Sequence, residues 1–145
     1  MKRKRRVAPV VRRRCILDSG GLSALCGGSS AARIELYWVA SHADGVRIPT
    51  PILAECTTGD GARDAEVNRI LGVLGKLDAM IIAPTEETAR RAGRLRFLAR
   101  TDDGIDALVA AEAVGDGTDA IVVTSDPDDL RRLLIRDPQV QIRRV

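Results

Sequence analysis

A chain of 145 residues is read as one domain, long enough to bury a hydrophobic core without metal or disulfide staples. Apolar residues at 45% beside 30% charge are ordinary globular composition, and no run nears the roughly 18 consecutive apolar residues of a membrane helix. The net charge of +3 hides an asymmetry: residues 1–14 (MKRKRRVAPVVRRR) carry eight cations and no acid, leaving 15 of the 23 cations against 20 acids, a balance of −5.

A polybasic arm thus precedes an acidic domain. The arm reads equally as a solvated, flexible tail or as a segment that binds phosphates without sequence preference. It lacks the long apolar segment of a signal peptide, so a cytoplasmic protein is expected. Cys15, Cys26 and Cys56 are odd in number, widely spaced and without a CxxC pair, which predicts free buried thiols rather than a disulfide framework or a zinc site. His42 is the one histidine and suits a surface or capping role. Hydrolytic chemistry in this chain therefore falls to carboxylates and hard cations. Tyr37, Trp38 and Phe97 are too few for a base-stacking platform, so a nucleic acid would be held mainly by its backbone.

In chain order, CILD at Cys15–Asp18 reads as a buried first strand extended backward by Val10 and Val11, with Ser19-Gly20-Gly21 allowing a tight turn. Leu22–Leu25 and Ala31–Ser41 have helical composition and are separated by Gly27-Gly28-Ser29-Ser30. VRIP at Val46–Pro49 is a second strand. Thr50 as cap and Pro51 at the first helical position open a helix that carries Glu55 among small and apolar neighbours. Ala62–Leu77 is an amphipathic helix and Met80–Ala83 a third strand. The next helix, TEETARRAGRLRFLAR, has early acids and late arginines matched to its dipole, and presents Arg90, Arg91, Arg94, Arg96 and Arg100 as a solvated or phosphate-facing surface.

The stretch from Asp102 to Asp129 concentrates the most chemistry. A helix from Asp103 to Val114 places Asp106 one turn below Asp103, above the small residues Ala110 and Ala113. Ala120–Val123 is a continuous apolar run with β-branched residues, as expected of a strand covered on both faces. Asp126 follows at its carboxyl end, where ligands bind in open parallel sheets. A last helix, Asp128–Ile135, leads to an edge strand at Val140–Arg144. Strands alternating with helices predict an α/β fold, a three-layer α/β/α sandwich around a mostly parallel sheet.

Asp18, Glu55, Asp106 and Asp126 stand at comparable places after or beside strand ends. Converging carboxylates repel one another, so the set makes sense with a divalent cation or with raised pKa values. Mg²⁺ or Mn²⁺ suits an all-oxygen site and meets substrate phosphate.

The motifs CILDSGGL, PTPILAE, GIDALVAAEAV and IVVTSDPDDL, in this order and spacing, resemble the PIN-domain ribonucleases, and among them the VapC-type toxins of bacterial toxin–antitoxin pairs. The resemblance spans nearly everything from Val10 to Val145. It implies a PIN-like domain over residues 15–145 and an Mg²⁺-dependent endoribonuclease, with Mn²⁺ as a substitute. Asp18, Glu55, Asp106 and Asp126 are then the catalytic and metal-binding acids. Thr124 or Ser125 would orient a carboxylate or water; Asp103 and Asp129 are further candidates for such a supporting role, and both also have adequate roles as helix caps. The implied partners are RNA, a cognate antitoxin and a second copy of the chain, with no membrane. The arm is longer than in a minimal domain of this kind, and Gly27-Gly28 loosen the first helical region. The alternative function is a non-catalytic RNA-binding or assembly module using the basic arm. A phosphate-accepting receiver domain is disfavoured, because outside the arm the only lysine is Lys76, within a helix.

Overall fold

The computed structural model of the protein describes residues 13–145. Five strands and seven helices follow in the order β1 (Arg13–Leu17), α1 (Ser19–Cys26), α2 (Ser30–His42), β2 (Ala43–Pro49), α3 (Thr50–Cys56) and α4 (Gly61–Gly75). They continue with β3 (Met80–Ile82), α5 (Glu86–Ala99), α6 (Gly104–Val114), β4 (Ala120–Thr124), α7 (Pro127–Leu133) and β5 (Val140–Arg144). The strands form one sheet in the order β3-β2-β1-β4-β5, and all four pairings are parallel.

Central strands of a parallel sheet are covered on both faces, and β1 and β4 are accordingly apolar throughout their inner parts. Ile16, Leu17, Val122 and Val123 are buried beneath helices on both sides. Helices α1 and α2 pack on one side, with α4 against α1, while α6 lies across β1, β2 and β4 with α5 and α7 beside it. The alanines Ala107, Ala110, Ala111 and Ala113 are all buried, so α6 approaches the sheet closely.

Connections from β1 to β2 to β3 run toward one edge, and those after β4 run toward the other. Right-handed crossovers then put the helices before β3 on one face and those after it on the other. The reversal falls between β1 and β4, which leaves a crevice at their carboxyl ends.

Several local expectations shift. Strand β1 begins at Arg13, so Arg13 and Arg14 belong to the sheet rather than to the arm; residues 1–12, including Val10 and Val11, lie outside the described residues. The half-buried guanidinium of Arg14 donates to the carbonyls of Glu112 and Ala113 at 2.9 Å each and to those of Val114 and Thr118, closing the carboxyl end of α6. Gly115, at φ +47°, leaves the space this guanidinium fills. Thr50 makes no side-chain cap; Pro49 occupies that position, with Pro51 in the first turn. Gly20 and Gly21 form the first turn of α1 itself rather than a turn before it.

Candidate active site

Asp18 ends β1. Its neighbour Leu17 is in register with Val123, and the Asp18 amide donates to the Val123 carbonyl at 3.2 Å, so Asp18 stands level with the end of β4. One carboxylate oxygen accepts the Gly21 amide at 2.7 Å and caps α1. The glycines allow this close approach: a Cβ on Gly21 would stand 2.7 Å from the Val123 carbonyl oxygen, and one on Gly20 would overlap the Ser125 hydroxyl. Asp18 is only 4% exposed. Burial pushes its carboxyl above the usual range; the Thr124 hydroxyl and the Gly21 amide oppose that, and the Glu55 carboxylate adds to it.

Asp106 lies in the first turn of α6. Asp103 caps this helix, accepting the amides of Ile105 and Asp106 at 3.0 and 2.9 Å. The Asp106 carboxyl is pushed up to about 7, first by burial and then by the negative charges of Asp103, Asp18, Glu55 and Asp129. Those four acids, contributed by β1, α3, the α5–α6 loop and α7, therefore share one negative site with Asp106. Glu55 reaches it from the exposed side of α3, a helix that packs against both α1 and α6.

Asp126 follows β4 as Asp18 follows β1, and each caps the helix after its strand. Asp126 is exposed, its carboxylate accepting the Asp128 amide at 3.4 Å. Its own amide donates to the Thr124 hydroxyl at 3.0 Å, and that hydroxyl donates to the Asp126 carbonyl at 3.1 Å. Asp129, one helical turn farther on, adds its negative charge to the surroundings of Asp106. Thr124 is fully buried beneath the site, whereas Ser125 is exposed above Gly20.

The donors are oxygen only, the set that hard divalent cations take. Among the described residues no three carboxylates, thiols or imidazoles are already arranged as the ligands of one ion, so the side chains would turn inward to hold one. His42 lies outside this site, exposed at the end of α2, with its ring stacked on Trp38 at 4.5 Å. The three cysteines are free, and burial pushes the Cys15 thiol up to about 12, far from thiolate chemistry at neutral pH.

On another face, α2 and α4 bound an apolar groove of about 380 Å³, lined among others by Leu36, Tyr37, Ile70, Val73 and Leu77. Tyr37 is 74% exposed on its rim. Among the described residues no helix is long and apolar enough to cross a membrane.

No family model matches the sequence, and no curated protein matches it either. Solved structures do match. A chain of a VapBC2 complex from Rickettsia felis, bound to a DNA fragment from their promoter, aligns over 91% of this chain and 98% of its own, with a TM-score of 0.69 and 15% identity. A toxin–antitoxin complex from Klebsiella pneumoniae aligns over 87% and 94%, with a TM-score of 0.65 and 20% identity. A DNA-bound VapBC from Salmonella typhimurium aligns over 91% and 98%, with a TM-score of 0.65 and 18% identity. With its all-parallel five-stranded sheet between helical layers, the chain has the PIN-like fold found in these toxin–antitoxin complexes.

Proposed function

We propose that the protein is a divalent-metal-dependent endoribonuclease and the toxin of a toxin–antitoxin pair, binding its scissile phosphodiester at the carboxyl ends of β1 and β4. The observation that carries this reading is the convergence of carboxylates on the half-buried Asp106, whose carboxyl is pushed up to about 7 first by burial and then by those negative charges, which a cation would relieve. Asp18 and Asp106 are the principal holders of Mg²⁺ or Mn²⁺, with Glu55 and Asp126 completing the set and Asp129 adding its charge beside them. Such an ion, when bound, neutralises phosphate charge and lowers the pKa of water. The remaining work belongs to the chain. The Gly21 amide fixes the Asp18 carboxylate, Asp103 fixes the start of α6 and so the position of Asp106, and Asp126 also caps the start of α7.

The test is cleavage of a mixed-sequence RNA by the purified full chain with Mn²⁺, with EDTA, and in single variants. Asp18→Asn and Asp106→Asn each lose at least about 100-fold in rate, since even groups that only orient metal ligands cost 10–100-fold. Asp126→Asn keeps a good helix cap, so its loss of at least about tenfold reads the carboxylate's part in holding the ion rather than the cap. Equal cleavage by wild type and the Asp106→Asn protein, or cleavage unaffected by EDTA, refutes the reading.

The antitoxin partner is supported by the complexes that share this fold. The groove between α2 and α4 is where an amphipathic helical segment would dock, its apolar face against Leu36, Ile70 and Val73.

A further inference from the structure

The carboxyl-terminal turn of α5 carries a second surface that the acid cluster leaves unexplained. A cleft of about 1020 Å³ opens there, with Arg96, Phe97, Arg100, Asp102 and Arg136 in its walls. Phe97 is 82% exposed and also borders a neighbouring depression with Arg90 and Arg94, so its ring forms the ridge between two hollows. Elsewhere on these helices the arginines are neutralised within a turn: Arg90 by Glu86 at 2.8 Å, Arg91 by Glu87 at 2.9 Å and Arg131 by Asp128 at 2.9 Å. Among the described residues Arg94, Arg96, Arg100 and Arg136 make no ion pair, and all four are exposed.

Two placements connect this surface to the acids. Arg96 reaches the start of α6, its guanidinium 3.7 Å from where a Cβ on Gly104 would stand, in the same helical turn as Asp106. Arg100 occupies the left-handed position that closes α5, at φ 54° and ψ 48°, where glycine is the usual residue. A guanidinium is thus kept at a backbone position that disfavours any side chain.

Resting on the nuclease reading, we infer that the cleft walled by Arg96, Phe97, Arg100 and Arg136 is a subsite for single-stranded RNA flanking the scissile bond. Arginines hold successive phosphates, and an unpaired base stacks on Phe97. A chain of phosphates led past five carboxylates needs compensating cations beside them, and these arginines are unpaired and adjacent. A second copy of this chain is a poor occupant: a two-fold contact centred here would set the four arginines against their own copies, with Asp102 as the one acid in the cleft wall.

The test is fluorescence anisotropy of a labelled single-stranded oligoribonucleotide of mixed sequence, titrated over several salt concentrations. It uses the full chain carrying Asp106→Asn to suppress cleavage, so the basic arm is constant throughout. Phe97→Ala weakens binding by about tenfold, and Phe97→Tyr restores it. Arg100→Gly weakens binding and lowers the salt slope by about 0.7, while raising the thermal midpoint because it relieves the left-handed strain. Binding within twofold of the parent in both Phe97→Ala and Arg100→Gly overturns the subsite. So does conversion of a dimer to a monomer by Phe97→Ala, read by sedimentation velocity, with RNA affinity unchanged. Cleavage by the otherwise wild-type chain with Mn²⁺ is followed in parallel. Binding that depends on this surface without any cleavage refutes the nuclease reading and keeps the subsite; cleavage with binding indifferent to these variants does the reverse.

Discussion

Asp106 is the side chain whose environment says most about the site. Its carboxyl is raised from the ordinary 3.8 to about 7 in the folded chain, so its charged form is disfavoured by folding. The native state therefore binds more protons than the unfolded state between those values, and the contribution of this group to stability falls as pH rises from about 3.8 to about 7. Below that window both states are protonated and above it the loss is complete. Asp106→Asn should then raise the thermal midpoint in EDTA at about pH 8 by roughly 3–5 °C and leave it nearly unchanged at about pH 4. Adding Mn²⁺ at the higher pH should stabilise the wild-type chain and not the variant. Calorimetry of the two proteins at the two pH values checks both statements; a variant no more stable than wild type at about pH 8 contradicts the charge crowding.

At the scale of elements, α1 depends on two glycines that a helix would ordinarily replace. Alanine is favoured over glycine in a helix interior by about 1 kcal/mol, and Gly72 in α4 has open space where a Cβ would stand. Gly72→Ala should accordingly stabilise the fold by about 0.5–1 kcal/mol. At Gly21 the same methyl meets a strand carbonyl oxygen at 2.7 Å, which cannot swing away as a flexible side-chain end would. Overpacking of this kind costs about 1–3 kcal/mol and outweighs the propensity gain, so Gly21→Ala destabilises by about 1–2 kcal/mol. Urea midpoints of the two variants should move in opposite directions. The motif Ser19-Gly20-Gly21 marks the place in the sequence, but that α1 starts directly on Asp18 follows from the packing against β4.

For the whole molecule, the groove between α2 and α4 lies apart from the acid cluster, so partner binding and cleavage should separate by mutation. Val73 is 44% exposed in the groove wall, and a charge there is tolerated by the free chain. Val73→Asp should weaken binding of the cognate antitoxin by at least about tenfold, since it sets a charge against an apolar helix face, while RNA cleavage is retained. Calorimetric titration beside the cleavage assay reads both. Loss of cleavage without loss of antitoxin binding would place the groove's function elsewhere.

Much of this protein was determined by short-range pattern. The continuous apolar runs at Cys15–Leu17 and Ala120–Val123, the caps and the alternation of strands with helices give a parallel α/β sheet, because burial on both faces and helix-end chemistry are local demands of the residues. Asp18 was legible as a carboxylate just beyond a strand, and Glu55 and Asp106 as carboxylates among apolar and small neighbours in the early turns of helices. Tertiary structure decided the rest. Strand order, which puts β1 beside β4 and opens the crevice between them, depends on the direction of each crossover and is not written in any one segment. That Asp129 adds its charge to the surroundings of Asp106 depends on α7 packing against α6, which neither segment states by itself. The role of Arg14, which as sequence belonged to a basic tail, follows from the carboxyl end of α6 arriving beside β1 nearly a hundred residues later. Charge, period and capping act over a few residues, whereas a site assembled from five elements exists only once the sheet brings their ends together.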